Sequence, residues 1–185
     1  MSLRDKWIDL LYKVASGSKK ARTILTPVGA LAFLSLIALF VLASYWLDSL
    51  LRLPKILPRP YNIAVSIPLL AIGLLLVLWC NLHFFRAKGT PVPLNPPQTL
   101  VTTGPYAFTR NPMLTGLFSV LFGIGALMSS IFLMFIFTPL FIVLNVIELK
   151  YIEEPELEKR LGQQYAKYKK RVPMFMPRLK RDNTK

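Results

Sequence analysis

Two short groups of polar residues in this sequence could do chemistry, and a long, largely uncharged stretch separates them. The first group is Arg110-Asn111-Pro112 and the second is Glu153-Glu154. Asn followed by Pro is typical of a helix start, because Asn can cap the first turn and Pro has no N–H that needs an acceptor there. We therefore expect free backbone N–H groups beside the Arg110 guanidinium, which together favour binding of an anion.

The two glutamates supply the opposite charge at the other end of the uncharged stretch. Residues 113–147 carry no charge, and Met128-Ser129-Ser130 interrupts them, which predicts a helical hairpin whose two ends lie side by side. An anion pocket beside two carboxylates suits a zwitterion with a second positive centre, such as S-adenosylmethionine (SAM). Its carboxylate would face Arg110 and the helix start, and its amino group would face Glu153 or Glu154. Charged groups at helix ends also serve as membrane anchors, so the residues alone leave both roles open.

The elements that must position these groups are membrane helices. Residues 24–47 and 61–85 are apolar and uncharged, and each is longer than the roughly 20 residues that a helix needs to cross a bilayer. With the hairpin, they predict an all-α integral membrane protein with about four transmembrane helices, the last two forming the hairpin. The first arm of the hairpin is short, so it is expected to tilt or to cross only in part.

The positive charge of the chain reports on its orientation in the membrane. The formal net charge is +14, and twenty of the twenty-three Lys and Arg residues lie on one side if both termini are cytoplasmic. We therefore expect contact with membrane lipids rather than nucleic acid, and a candidate site on the cytoplasmic side. A single cysteine, Cys80, excludes an intrachain disulfide and a Cys-based zinc site, and no metal is expected.

Both ends of the chain have apolar residues at helical spacing, which predicts amphipathic helices on the membrane surface. These residues are Leu3, Trp7, Leu10, Leu11 and Val14 near the start, and Leu157, Leu161, Tyr165, Tyr168 and Val172 near the end. Pro155 should break or kink the preceding helix near Glu154. The predicted segments are an N-terminal amphipathic helix (1–23), two transmembrane helices (24–85), a cytoplasmic cofactor-binding loop (86–112), a transmembrane hairpin (113–152) and a C-terminal interfacial helix with a basic tail (153–185).

Two stretches of the sequence resemble the signatures of a known family. "PQTLVTTGPYAFTRNPMLTG" and "EEPELEKRLGQQYAKYKKRVPMFMP" resemble, in the same order, those of the membrane methyltransferases related to isoprenylcysteine carboxyl methyltransferase and the phospholipid N-methyltransferases. The resemblance covers about Lys88 to Pro177. It implies that SAM binds at the cytoplasmic face, between the loop and the ends of the last helices.

The resemblance also implies roles for individual residues. Glu153 would bind the amino group of SAM, and the remaining cofactor contacts would come from Gln98, Thr99, Leu100, Val101, Gly104, Tyr106, Asn111, Pro112, Met113 and Leu114. Isoprenylcysteine enzymes carry an Arg one turn before the glutamates, implicated in binding the substrate carboxylate. Here that position is Leu149, with Lys150 beside it as a weaker substrate-binding candidate.

The expected reaction is transfer of the sulfonium methyl to a lipophilic acceptor that enters from the bilayer, with Arg110 and Glu154 as the catalytic candidates. The leading acceptor is the carboxylate of an isoprenylcysteine-like substrate. The first alternative is the amine of phosphatidylethanolamine, whose proton Glu154 would accept. A second alternative changes the reaction class, because NADPH-dependent steroid and sterol reductases of membranes resemble the Arg110 region. A third is a membrane protein without enzymatic activity.

Overall fold

The computed structural model describes residues 3–87, 89–90, 95–97 and 99–175, and that part of the chain is helical, without strands. Its α-helices are α1 (Leu3–Ala15), α2 (Lys19–Leu50), α3 (Tyr61–Arg86), α4 (Pro112–Met128), α5 (Thr138–Glu148), α6 (Glu154–Leu161) and α7 (Gln163–Arg171). A 3₁₀ turn (Gly104–Ala107) precedes α4, and π-helical segments (Leu133–Phe137 and Leu149–Glu153) precede α5 and α6.

Three helices in the described part are long and apolar enough to cross a membrane: Arg22–Leu50, Tyr61–Arg86 and the continuous helix Leu133–Leu161. The fourth, α4, has 17 residues. At 1.5 Å per residue it is about 25 Å long, less than the roughly 30 Å of a bilayer core. The predicted all-helical membrane architecture is therefore confirmed. The sequence predicted about four transmembrane helices, and the described part of the chain has three candidate spans and one shorter apolar helix.

Glycines allow α3 and α4 to pack closely as antiparallel neighbours. A Cβ added to Gly73 would lie 2.6 Å from the Gly116 carbonyl oxygen, and one added to Gly116 would lie 2.9 Å from the Gly73 oxygen. Small residues favour such packing in membranes, where helices associate through van der Waals contact rather than through the hydrophobic effect. Nearby, the Ser119 hydroxyl donates to the Leu69 carbonyl at 2.8 Å. This contact joins the middle of α4 to α3.

The hairpin turn brings the two polar groups to the same end of the molecule. Ser129 ends α4 in the left-handed conformation, with φ of 54°, and the chain returns through the π-helical segment into α5. Asp48, at the end of α2, accepts hydrogen bonds from the Ser130 hydroxyl and from the Phe132 N–H and so ties α2 to the turn. The expected proximity of the start of α4 and the end of the second arm follows from this geometry.

The second arm of the hairpin continues past the predicted break at Pro155. Pro155 lies in the first turn of α6, directly after the π-helical segment Leu149–Glu153, and the helix runs on to Leu161. A wider π-helical turn accommodates the missing N–H and the ring of proline without ending the helix. The break falls instead at Gly162, whose φ is 56°, and it divides the predicted C-terminal helix into α6 and α7.

Candidate functional site

Arg110, Glu154 and Lys169 form a largely buried ionic network that joins three separate parts of the chain. The Arg110 Nη2 lies 2.8 Å from one Glu154 oxygen, and the Lys169 Nζ lies 2.7 Å from the other. The side chains of Arg110 and Glu154 are only 9% and 5% exposed. Hydrogen bonds to Glu154 and Glu158 raise the pKa of Lys169. The two residues that the sequence placed in an anion site and a carboxylate pair therefore neutralise each other.

The Arg110 guanidinium retains hydrogen-bonding capacity. Its Nε and Nη1 are buried and have no hydrogen-bond partner in the described part of the chain. The Glu154 oxygen nearest to it is likewise without a well-aligned hydrogen bond, although the 2.8 Å separation makes it an ion pair. Because buried guanidinium donors without partners are costly, these two donor atoms favour an anionic ligand at Arg110.

The expected helix start is present, but its cap differs from the prediction. Pro112 occupies the first turn of α4 as expected, whereas the side chain of Asn111 makes no capping hydrogen bond. The Asn111 amide donates instead to the Met174 carbonyl at 3.3 Å, and the Thr109 hydroxyl donates to the same oxygen at 2.7 Å. The Arg110 N–H donates to Pro173. The segment after α7 therefore accepts hydrogen bonds from donors that lie just before α4.

Tyr106 is buried beneath this network. Its ring packs edge-on against Phe84, its backbone carbonyl accepts a hydrogen bond from the Tyr168 hydroxyl at 2.7 Å, and only 6% of the residue is exposed. Burial raises the pKa of the Tyr106 phenol. Gly104, with φ of 61°, lets the chain turn here, and a Cβ at this position would lie 2.1 Å from Nε2 of His83. Gly104 thus permits a close approach to α3.

Glu153 lies on a different face from Glu154. It lines a small cavity of about 40 Å³ with Arg160 and Glu156, and Leu11 of α1 and Pro96 of the loop close this cavity. Such a volume holds a few water molecules at most. Arg160 donates from Nε to Glu156 at 2.8 Å and from Nη1 to the Pro97 carbonyl at 3.2 Å, and it acts electrostatically on Glu153. The cavity is therefore charged.

The two faces are in electrostatic contact through Tyr165. Burial first, then the charges of Glu154 and Glu153, raise the pKa of the Tyr165 phenol, whereas Arg110 lowers it. These residues thus share one charged region at the cytoplasmic end of the predicted topology.

The other predicted cofactor residues are distributed around this region. Gln98 lies outside the described residues. Thr99 is exposed, Leu100 and Val101 are partly buried, and the loop before them is held through Pro97 by Arg160.

Pro112 is fully buried, Met113 is partly buried, and Leu114 packs against the aromatic core around Phe118 and Phe141. Lys150 is exposed, with its ammonium 5.8 Å from the centre of the Tyr151 ring.

Two residues of the site were missed by the sequence reasoning. Arg160 follows Glu153 by seven residues and Glu156 by four, a spacing that puts all three on one helix face and could have identified it. Lys169 gave no such signal, because its pairing with Glu154 depends on the turn at Gly162. Across the described residues, no group of three or more His, Cys, Asp or Glu side chains could hold a metal ion.

This arrangement fits a zwitterionic ligand with a carboxylate and an amino group. The free donors of Arg110 suit the carboxylate, and the carboxylate of Glu153 suits the ammonium. The residues present are therefore compatible with SAM.

Comparison with known proteins identifies relatives of the chain. A family model described as phospholipid methyltransferase matches residues 61–164, more than half of the chain. A nickel-cobalt-cadmium resistance protein, NccN, from Alcaligenes xylosoxydans xylosoxydans is 33% identical over 122 residues, which cover 62% of this chain and 53% of the relative. The chain thus spans about half the length of this curated relative. No solved structure matches the chain. The family match does not support the reductase alternative.

Proposed function

Because this chain belongs to the phospholipid methyltransferase family, we propose that it is a membrane methyltransferase that uses SAM to methylate a lipophilic acceptor. The observation that carries the proposal is the buried Arg110 guanidinium, which has two unused donor atoms beside its ion pair with Glu154. Family members typically use SAM.

Each group in the site has a separate task. Arg110 binds the carboxylate of the cofactor through Nε and Nη1, and Glu153 binds its amino group. SAM supplies an activated methyl group, so the protein needs to position two reactants and exclude water. Tyr106 and Gly104 support the loop that approaches the ligand, because both pack against α3.

Glu154 has a positioning role in this proposal, in place of the proton-accepting role expected from the sequence. Its two oxygens bind Arg110 and Lys169 at 2.8 and 2.7 Å. Both oxygens of Glu154 are thus engaged by cations, so neither is left free to contact the acceptor. Glu154 therefore orients Arg110 toward the ligand rather than taking a proton from the acceptor.

The charges near Glu153 favour an amine as the acceptor. Glu148 lies about one helical turn before Glu153 on the second arm, and the two carboxylates interact electrostatically. The position where isoprenylcysteine enzymes carry an Arg is Leu149, which is buried, and Lys150 is exposed on another face. Glu148 forms no ion pair with another described residue, so its carboxylate is available to attract an ammonium headgroup and to repel a carboxylate. A phospholipid amine such as that of phosphatidylethanolamine is thus the leading acceptor: its ammonium would lose a proton to the Glu148 carboxylate, the free nitrogen would take the methyl group, and S-adenosylhomocysteine would leave. The isoprenylcysteine-like carboxylate is the second candidate.

Ligand binding tests the cofactor assignment. Purified protein in detergent is titrated with S-adenosylhomocysteine and, separately, with NADPH. We expect binding of the former, weakened at least tenfold by Glu153→Gln and unchanged by Glu158→Gln, a matched exposed glutamate on α6. Binding of NADPH alone would overturn the proposal.

Methyl transfer tests the acceptor. Labelled SAM is supplied with phosphatidylethanolamine or with a prenylated cysteine that has a free carboxylate. We expect label in the phospholipid, and Glu148→Gln should reduce this transfer while leaving S-adenosylhomocysteine binding intact. If only the prenylated cysteine becomes labelled, the carboxylate and not the phospholipid amine is the preferred acceptor.

A further inference from the structure

We propose that the protein has a second ligand site, for a lipid phosphate, in the cavity that Lys55 and Arg59 line at the end of the helices opposite to Arg110. The cavity has a volume of about 430 Å³ and lies between the α2–α3 connection and the α4–α5 turn. It shares no residue with the candidate methyltransferase site, so the inference stands apart from the proposed function.

The walls of this cavity are tied together by hydrogen bonds. The Asn62 amide, at the start of α3, donates to the Leu127 carbonyl at 3.0 Å, and the Ser129 hydroxyl donates to the Leu57 carbonyl. Asn62 is itself buried, and its side-chain oxygen accepts the Ile63 N–H at 2.9 Å. Because these bonds join the connection to the hairpin turn, the cavity is formed before any ligand enters.

The charge of the cavity is positive and is not neutralised nearby. Neither Lys55 nor Arg59 forms an ion pair with another described residue. The nearby carboxylate, Asp48, is already engaged by the Ser130 hydroxyl and the Phe132 N–H. Two unpaired cations at the rim of a preformed cavity suit a phosphate, with the guanidinium able to bind it through two donors.

The apolar part of the lining argues for a phosphate carried by a lipid. Leu57, Leu127 and Met128 line the cavity beside the cations. The cavity lies where the apolar helix α3 begins and the apolar helix α4 ends, which is the depth of lipid headgroups. Acyl chains would lie along the exposed apolar surface of α3, where Ile63 and Ile67 face outward.

The test compares ligands that share the phosphate or the acyl chains. Purified protein in neutral detergent is titrated with short-chain phosphatidylglycerol, inorganic phosphate or short-chain diacylglycerol, and the shift in Tm is measured. We expect stabilisation by phosphatidylglycerol and at least a tenfold loss of apparent affinity in Lys55→Gln/Arg59→Gln. The control is Arg52→Gln, an exposed cation of the same connection that does not line the cavity.

Each outcome decides one element of the proposal. Stabilisation by inorganic phosphate at similar concentrations would keep the anion site and overturn its lipid source. Equal stabilisation by diacylglycerol, or an unchanged affinity in the double variant, would overturn the site itself. The Tm without ligand and the elution volume in size-exclusion chromatography should be the same in all three proteins, which verifies that the double variant is folded.

Discussion

Replacement of Glu154 by Gln should destabilise the protein strongly, because this side chain neutralises a buried guanidinium. Glu154 is 5% exposed and contacts Arg110, which is 9% exposed, at 2.8 Å. Removal of one member of a buried ion pair costs about 3–5 kcal/mol, since the partner is left charged and desolvated. Gln can still accept one hydrogen bond, so we expect a loss near 3 kcal/mol, or roughly 6–12 °C in Tm for a chain of this size.

The matched control for this experiment is Glu158→Gln. Glu158 binds the same ammonium, Lys169 Nζ, at 2.9 Å, but its side chain is 46% exposed. An exposed pair contributes about 1 kcal/mol or less, so the Tm should change little. Both variants are unfolded thermally in one detergent while tryptophan fluorescence is recorded.

Two results would refute the reasoning about Glu154. Equal Tm values for Glu154→Gln and Glu158→Gln would show that the Arg110 contact does not stabilise the fold. A Glu154→Gln variant with normal Tm and no methyl transfer would restore the proton-accepting role. In the double variant Arg110→Met/Glu154→Gln, much of the lost stability should return, because no buried charge is left without its partner.

Three further predictions concern packing and pH. Gly104→Ala should lower the free energy of unfolding by about 2–4 kcal/mol, because a residue with a Cβ disfavours a φ of 61° and because this Cβ would collide with His83. Asn tolerates a positive φ better than Ala, so a smaller loss in Gly104→Asn would show that the backbone conformation, rather than the collision, sets the cost. Gly116→Leu should separate α4 from α3 at Gly73 and lower the yield of folded protein, as measured by size-exclusion chromatography in detergent. The pKa of Lys169 is raised in the folded protein, so the stability that its ammonium contributes is complete at neutral pH and is lost as the pH rises through that pKa. In the wild-type protein, Tm should therefore decline above about pH 10, and in Lys169→Met this decline should be smaller.

The sequence predicted the architecture well because membrane helices are local features. The uncharged runs 24–47 and 61–85 lie within α2 and α3, and the break at Met128–Ser130 coincides with the hairpin turn. These predictions depend only on hydropathy along the chain and on length. The C-terminal region was less predictable, because Pro155 is tolerated after a π-helical segment, and hydropathy contains no information about such a segment.

The sequence identified residues of the candidate site, but it did not predict which of them contact each other. Arg110 and Glu154 were expected to face a common ligand, and the structure pairs them with each other. Asn111 was expected to cap α4 through its side-chain oxygen, but its Nδ2 donates to the Met174 carbonyl and its side chain makes no capping hydrogen bond. Both outcomes depend on how α7 and the segment after it pack against the start of α4. This packing is a tertiary feature that cannot be read from helix-start or charge patterns in the sequence.

The two halves of the site are held with very different strength. The Arg110–Glu154–Lys169 network is largely buried, so its pairing is retained whether or not a ligand is bound. The cavity beside Glu153 is closed by α1, whose polar contact with α6 is an exposed ion pair between Asp9 and Lys159. Exposed pairs of this kind are weak and are screened by salt. A ligand larger than a few water molecules therefore needs less free energy to reach Glu153 by displacement of α1 than by disruption of the Arg110–Glu154–Lys169 network. Arg110 then keeps its position when the ligand binds.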